Sequence, residues 1–180
     1  MLVSVTVAAC ASGGNKTTAG SAPETTASST TSRATSSTTA PPPAGSKTPV
    51  SVAVSHPAAH LVAVRIARQE GFDRVVFEFN DRTPGYRIGY ATGSVHNTAG
   101  QEVNVAGGAK LVIHLEQATG ADSYTGPARV TAGGTTQVTE LARIEDFEAV
   151  LSWVAGVRTE APFRVTTLAS PPRLVIDVSG

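Results

Sequence analysis

The sequence predicts an all-β protein, a single β-sandwich domain behind a disordered N-terminal tether. Three observations carry this expectation. Residues 60–180 hold short runs in which apolar and polar side chains alternate, the period of a half-buried strand. Turn-forming clusters punctuate those runs at close intervals, as in sandwiches and barrels. Residues 11–59, by contrast, carry almost no large apolar side chains.

Residues 1–10, MLVSVTVAAC, are apolar or small up to Cys10. The run is too short to span a bilayer, which takes about 20 apolar residues. It fits the hydrophobic core of a signal peptide that ends in small residues. Val7-Ala8-Ala9-Cys10 resembles the bacterial lipobox. The resemblance implies that the Cys10 thiol receives a diacylglyceryl group and that the peptide is cut before it. The freed amine is then often acylated, as with palmitate. The expected place is the extracytoplasmic face of the cell membrane, held by lipid. No Lys or Arg precedes Cys10, so the natural start is expected upstream. A lone cysteine leaves no intrachain disulfide and no cysteine-based metal cluster.

Residues 11–59 form the expected tether. Ser, Thr and Ala contribute ten each, Pro six and Gly four, so 40 of 49 residues are of five small or turn-forming types. Such a stretch buries too little apolar surface to offset its ordering entropy. A random coil of this length spans roughly 35–42 Å. Residues 41–43, all proline, stiffen it locally.

Residues 60–180 read as one domain. Strand signals run through 61–66, through FDRVVFEF at 72–79, then 86–90, 102–105, 111–115, 163–168 and 173–178. Turn clusters fall at 70–71, 83–85, 107–108, 133–134 and 170–172. One stretch is ambiguous. Leu141, Ile144, Phe147, Leu151 and Val154 sit at helical spacings, while Phe147, Ala149, Leu151, Trp153 and Ala155 alternate. The β-branched and aromatic residues favour a strand over 146–157, with a helix over 139–153 as the alternative. The domain also rhymes internally. RVVFEF at 74–79 and RLVIDV at 173–178 share the order basic, three apolar, acidic, apolar.

Fourteen basic residues balance fourteen acidic ones, which excludes the basic excess of a nucleic-acid binder. His56 and His60 are four apart, but Pro57 between them argues against a helical metal pair. His114 falls in an alternating run and His96 in a loop. No nucleophile elbow or phosphate-binding loop occurs. Glu145, Asp146 and Glu148 form a small acidic cluster, more readily a solvated turn than an acid/base pair. No catalytic residue, metal site or cofactor is assigned.

The stretch FRVTTLASPPRLVIDV at 163–178 resembles the closing signature of the AMIN domain: an aromatic-led strand, a Pro-containing turn, and an Arg-to-Asp strand. Residues 61–79 resemble its opening pair of strands. The whole of 60–180 is similar to the AMIN-like domain of actinobacterial lipoproteins, in which the motifs at Gly71, Pro84 and Asp146 follow in this order. The resemblance implies a non-catalytic β-sandwich of the cell envelope, binding peptidoglycan or localising to the wall. The alternative is a protein-interaction module that recruits or regulates an envelope enzyme. Expected partners are therefore peptidoglycan or an envelope protein, and the membrane through the lipid, with no nucleic acid. Tyr86, Arg87, Tyr90 and Trp153 are the candidate binding residues. Aromatic rings can stack on sugars, and arginine can pair with the carboxylates of a wall peptide.

Overall fold

The computed structural model describes residues 45–180. The signal-like segment, Cys10 and the tether up to residue 44 lie outside the described residues. Eleven strands follow in chain order: β1 (Val50–Val52), β2 (Ala59–Gln69), β3 (Phe72–Phe79), β4 (Gly85–Tyr90), β5 (Ala109–Glu116), β6 (Ala118–Thr119), β7 (Arg129–Thr131), β8 (Val138–Phe147), β9 (Val150–Val157), β10 (Phe163–Ala169) and β11 (Pro172–Ser179). They form a six-stranded sheet, ordered β1-β4-β5-β9-β8-β7, and a five-stranded sheet, ordered β10-β11-β3-β2-β6. All neighbours are antiparallel except β2 and β6.

Alternation explains why the two sheets face each other. Val75, Phe77 and Phe79 of β3 point the same way as Leu174, Ile176 and Val178 of β11, and all are buried. From the six-stranded sheet come Ile88, Leu111, Ile113, Leu115, Leu151, Trp153 and Ala155, in the same core. Phe77 and Trp153 meet edge to face at 5.9 Å across the interface. A carboxylate adds a polar staple. Asp73 at the end of β3 accepts hydrogen bonds from Thr136, Gln137 and Val138, at the start of β8.

The internal rhyme is a strand pair. The two rhyming segments are neighbours in the middle of the five-stranded sheet, running antiparallel. Antiparallel pairing of like sequences sets the basic end of each against the acidic end of the other. Arg74 thus faces Asp177, and Arg173 faces Glu78.

The ambiguous stretch is a hairpin, with no helix. β8 and β9 turn at Glu148 and Ala149, whose φ angles are +50° and +60°. The expected strand over 146–157 is therefore cut in two by this turn. The helix-like spacing has a physical cause. Leu141 and Leu151 face the central core, whereas Ile144 and Val154 face outward into a second, smaller apolar cluster. The 91–108 loop covers that part of the outer face with Val95, Val103 and Val105. Burial on both faces erases strict alternation. A bulge between Arg143 and Glu145 shifts the spacing further. The loop can lie this close because residue 156 is glycine; a Cβ there would collide with the Ala106 carbonyl.

Residues 45–59 carry structure where composition predicts the end of a tether. β1 pairs with β4, Val50 opposite Ile88. Ser46 exchanges backbone hydrogen bonds with Phe163 at 2.9 and 3.1 Å. All three β1 side chains are exposed, so no hydrophobic period marks the strand.

Candidate functional site on the outer face of the six-stranded sheet

The period of two divides the candidate binding residues. Tyr86 and Tyr90 face the core side of β4, and Arg87 between them faces outward. Tyr86 is buried. The Tyr90 hydroxyl donates to the Ala161 carbonyl at 2.8 Å and accepts from the Ala161 N–H at 3.0 Å. Its ring meets Phe163 edge to face. Burial raises the Tyr90 hydroxyl pKa. Trp153 is 0% exposed and packs between Phe77 and Tyr124. It therefore fills the core and offers no face to a sugar in the folded domain, a correction to its reading as a ligand contact. Arg87 alone of the four stands free on the outer face, its side chain 66% exposed.

Register builds a row around Arg87. Arg87 lies opposite His114, His114 opposite Ser152, and Ser152 opposite Glu145. The four side chains share the outer face across β4, β5, β9 and β8. The His114 Nδ1 and the Ser152 hydroxyl are hydrogen-bonded at 2.8 Å. Arg87 reaches sideways to Glu116 at 3.1 Å. The next row toward the hairpin holds Glu116, Val150 and Phe147. Phe147 is 62% exposed, unusual for a phenylalanine.

Two hollows flank the row. One, of about 270 Å³, is lined by Pro49, Arg87, Gly89, Tyr90, Val112 and His114. The other, of about 240 Å³, is lined by Thr98, Glu145, Phe147, Glu148 and Val150. They are separate, and the 91–108 loop lends Ala91 to the first and Thr98 to the second. Burial pushes the His114 imidazole below its ordinary pKa, and the Arg87 charge adds to the shift against the pull of Glu145 and Glu116. Glu145 Oε2 is shut off from solvent and receives no hydrogen bond.

Serine, histidine and glutamate in one row invite comparison with a catalytic triad, but the order is wrong. In a triad the acid orients the histidine, which in turn activates the serine. Here serine sits in the middle, and it is fully buried. The arrangement suits binding better than acyl transfer.

The remaining candidates scatter. Asp146 leaves the acidic cluster and accepts from Thr119 at 3.0 Å and Gly120 N–H at 2.9 Å, holding β6 in place. His56 packs on the carbonyls of Pro57 and Thr83, and His60 lies 3.7 Å from Asp81. Among the described residues no group of three His, Cys, Asp or Glu is placed to hold a metal. Sequence reasoning missed Phe147 and Val150 as surface-site residues, and Ser152 as the buried partner of His114, because their meeting with Arg87 and His114 depends on register between distant strands.

Fold and face together define a two-sheet β module with two shallow hollows on one outer face. The chain belongs to the AMIN-like domain family, whose sequence model matches residues 59–180. No curated protein is significantly similar to it.

Proposed function

We propose that the protein is a non-catalytic lipoprotein of the cell envelope whose AMIN-like domain binds peptidoglycan. In this reading Cys10 carries the lipid, and the segment up to residue 44 lifts the domain from the membrane. The wall meets the outer face of the six-stranded sheet. The observation that carries the reading is a pair of shallow hollows, lined by Arg87 and by Glu145 and Glu148, on one face of a domain of the AMIN-like family. Shallow sites spaced along a face suit an extended polymer, whereas an enclosed cavity suits a small substrate. The full chain is expected to co-sediment with purified sacculi, and Arg87→Gln and Phe147→Ala to weaken that binding without unfolding the domain. Sacculi that leave the chain in the supernatant would sink the wall assignment. Mass spectrometry of the membrane-extracted protein tests the anchor, and an unmodified Cys10 would remove it.

A second reading, recruitment of an envelope enzyme, has one supporting observation. β10 is an edge strand, and among the described residues only Ser46 reaches its outer side. Such an edge can accept an extended segment of a partner. Co-purification of one enzyme from membranes, abolished by Thr167→Pro, whose N–H lies on the same outer side as that of Phe163, and accompanied by no sacculus binding, would favour this reading.

A further inference from the structure

We infer that the two hollows, one beside Arg87 and one beside Glu145 and Glu148, together read a short peptide that carries a carboxylate and an ammonium, so that the wall component taken is the stem peptide and not the glycan strand. This rests on the wall-binding reading above. Three interstrand steps of about 4.8 Å separate the backbones of Arg87 and Glu145, or about 14 Å. An extended peptide of about four residues covers that span.

The charges are sorted along this line. Arg87 stands at one end, beside its hollow. Glu145 and Glu148 stand at the other, in the second hollow. Between them lie Ser152 and His114, hydrogen-bonded to each other. Phe147 and Val150 give the acidic end an apolar floor.

Each end matches one ionic group. Arginine pairs with a carboxylate through parallel N–H donors. Its present partner, Glu116, is an exposed one, and exposed pairs are weak enough to exchange. At the other end, two carboxylates beside an aromatic ring suit a primary ammonium, which brings three donors and a cation–π contact. A stem peptide carries both groups, a carboxylate and the side-chain ammonium of its diamino residue. An N-acetylated glycan strand carries no ammonium.

The test is calorimetric titration of the full chain with a synthetic stem pentapeptide, L-Ala–γ-D-isoglutaminyl–L-Lys–D-Ala–D-Ala, capped at its N-terminal amine, in which the C-terminus is the one carboxylate. Two modified forms accompany it, one acetylated on the lysine amine and one amidated at the C-terminus. Each modification is expected to weaken binding roughly tenfold, the loss of one charge-assisted contact. Glu145→Gln should weaken the parent peptide similarly and abolish the sensitivity to acetylation. Arg87→Gln should do the same for amidation. Native amide spectra of both variants would confirm that they fold. Equal affinity for all three peptides overturns the inference, and so does absence of binding by a natively folded chain. If sacculi still bind in either case, wall binding stands and moves to the glycan. Charge-dependent peptide binding without sacculus binding would instead overturn the wall reading alone.

Discussion

The Asp73 carboxylate on the five-stranded sheet accepts a hydrogen bond from the Val138 N–H of the six-stranded sheet at 2.9 Å. The same carboxylate takes the N–H groups of Thr136 and Gln137 and the Thr136 hydroxyl. Both oxygens are thus occupied by donors, and the side chain is 0% exposed. Asp73→Asn keeps the shape but turns an amide toward donors on one side. A buried donor left unmatched costs about 1–3 kcal/mol, so Asp73→Asn should destabilise the domain by about 2–4 kcal/mol. Urea unfolding measures this; a change under about 0.5 kcal/mol, the size of a surface substitution, would mean that the staple contributes little.

The two rhyming strands give an asymmetric pair of predictions. Arg74 grips Asp177 through two bonds, 2.7 and 2.9 Å long, on a nearly buried carboxylate. That bond holds the Arg74 guanidinium pKa above its ordinary value, against burial. Arg173 faces Glu78 across the same ladder, but Glu78 is bonded at 2.9 Å to Arg65 on the other side. Asp177→Ala should therefore cost about 1–2 kcal/mol, discounted for the partial exposure of Arg74. Arg173→Ala should stay within about 0.5 kcal/mol. Equal costs in thermal unfolding would contradict the ranking.

His114 sets a pH dependence whose sign can be worked out. Burial and then the Arg87 charge lower its folded pKa from 6.5. The unfolded chain thus takes up the proton first as pH falls, and folding loses stability below about pH 6.5 until the folded pKa is passed. Above that value the contribution is complete. Glu140 acts lower. Its burial opposes the shift, but hydrogen bonds from Arg129 and the Ala106 N–H hold its pKa below the ordinary 4.5, so its contribution vanishes only in more acid solution. Stability measured from pH 5 to 7.5 should slope upward, and His114→Gln should flatten the slope. An unchanged slope in the variant would assign it to another group.

Trp153 is the only tryptophan and a direct reporter of its own placement. Its burial predicts blue-shifted emission and weak quenching by acrylamide in the folded chain. Sacculi or stem peptide should leave both unchanged, because the two hollows lie on the other face of the sheet. A ligand-induced emission shift would contradict the separation of Trp153 from the binding face.

Alternation made the central strands legible. In β3 and β5 one face is core, so apolar residues recur at every second position. The β8–β9 hairpin was harder, because Glu148 and Ala149 adopt left-handed φ without the glycine or asparagine that usually marks such turns. The site was legible only in part. Arg87 was in view, but grouping it with Tyr86 contradicts the period of two on a single strand. His114 and Ser152 are 38 residues apart, and only the pairing of β5 with β9 brings them to 2.8 Å. Register between distant strands has no local signature, so a site made of it cannot be read along the chain.

β1 yields the last prediction. Val50, Ser51 and Val52 lie against Ile88, Arg87 and Tyr86, shielding the outer edge of β4. Pro49 just before them lines the Arg87 hollow and has no N–H to offer a further strand. β1 buries no side chain, so its removal should cost the core little. It should instead expose the β4 backbone as an unpaired edge, a template for association. A chain starting at Ala59 is therefore expected to keep its β-sheet circular dichroism while the β4 amides lose exchange protection. Concentration-dependent oligomers should appear in size-exclusion chromatography. A monomeric truncation with β4 amides as protected as in the full chain would show that β1 does not guard this edge.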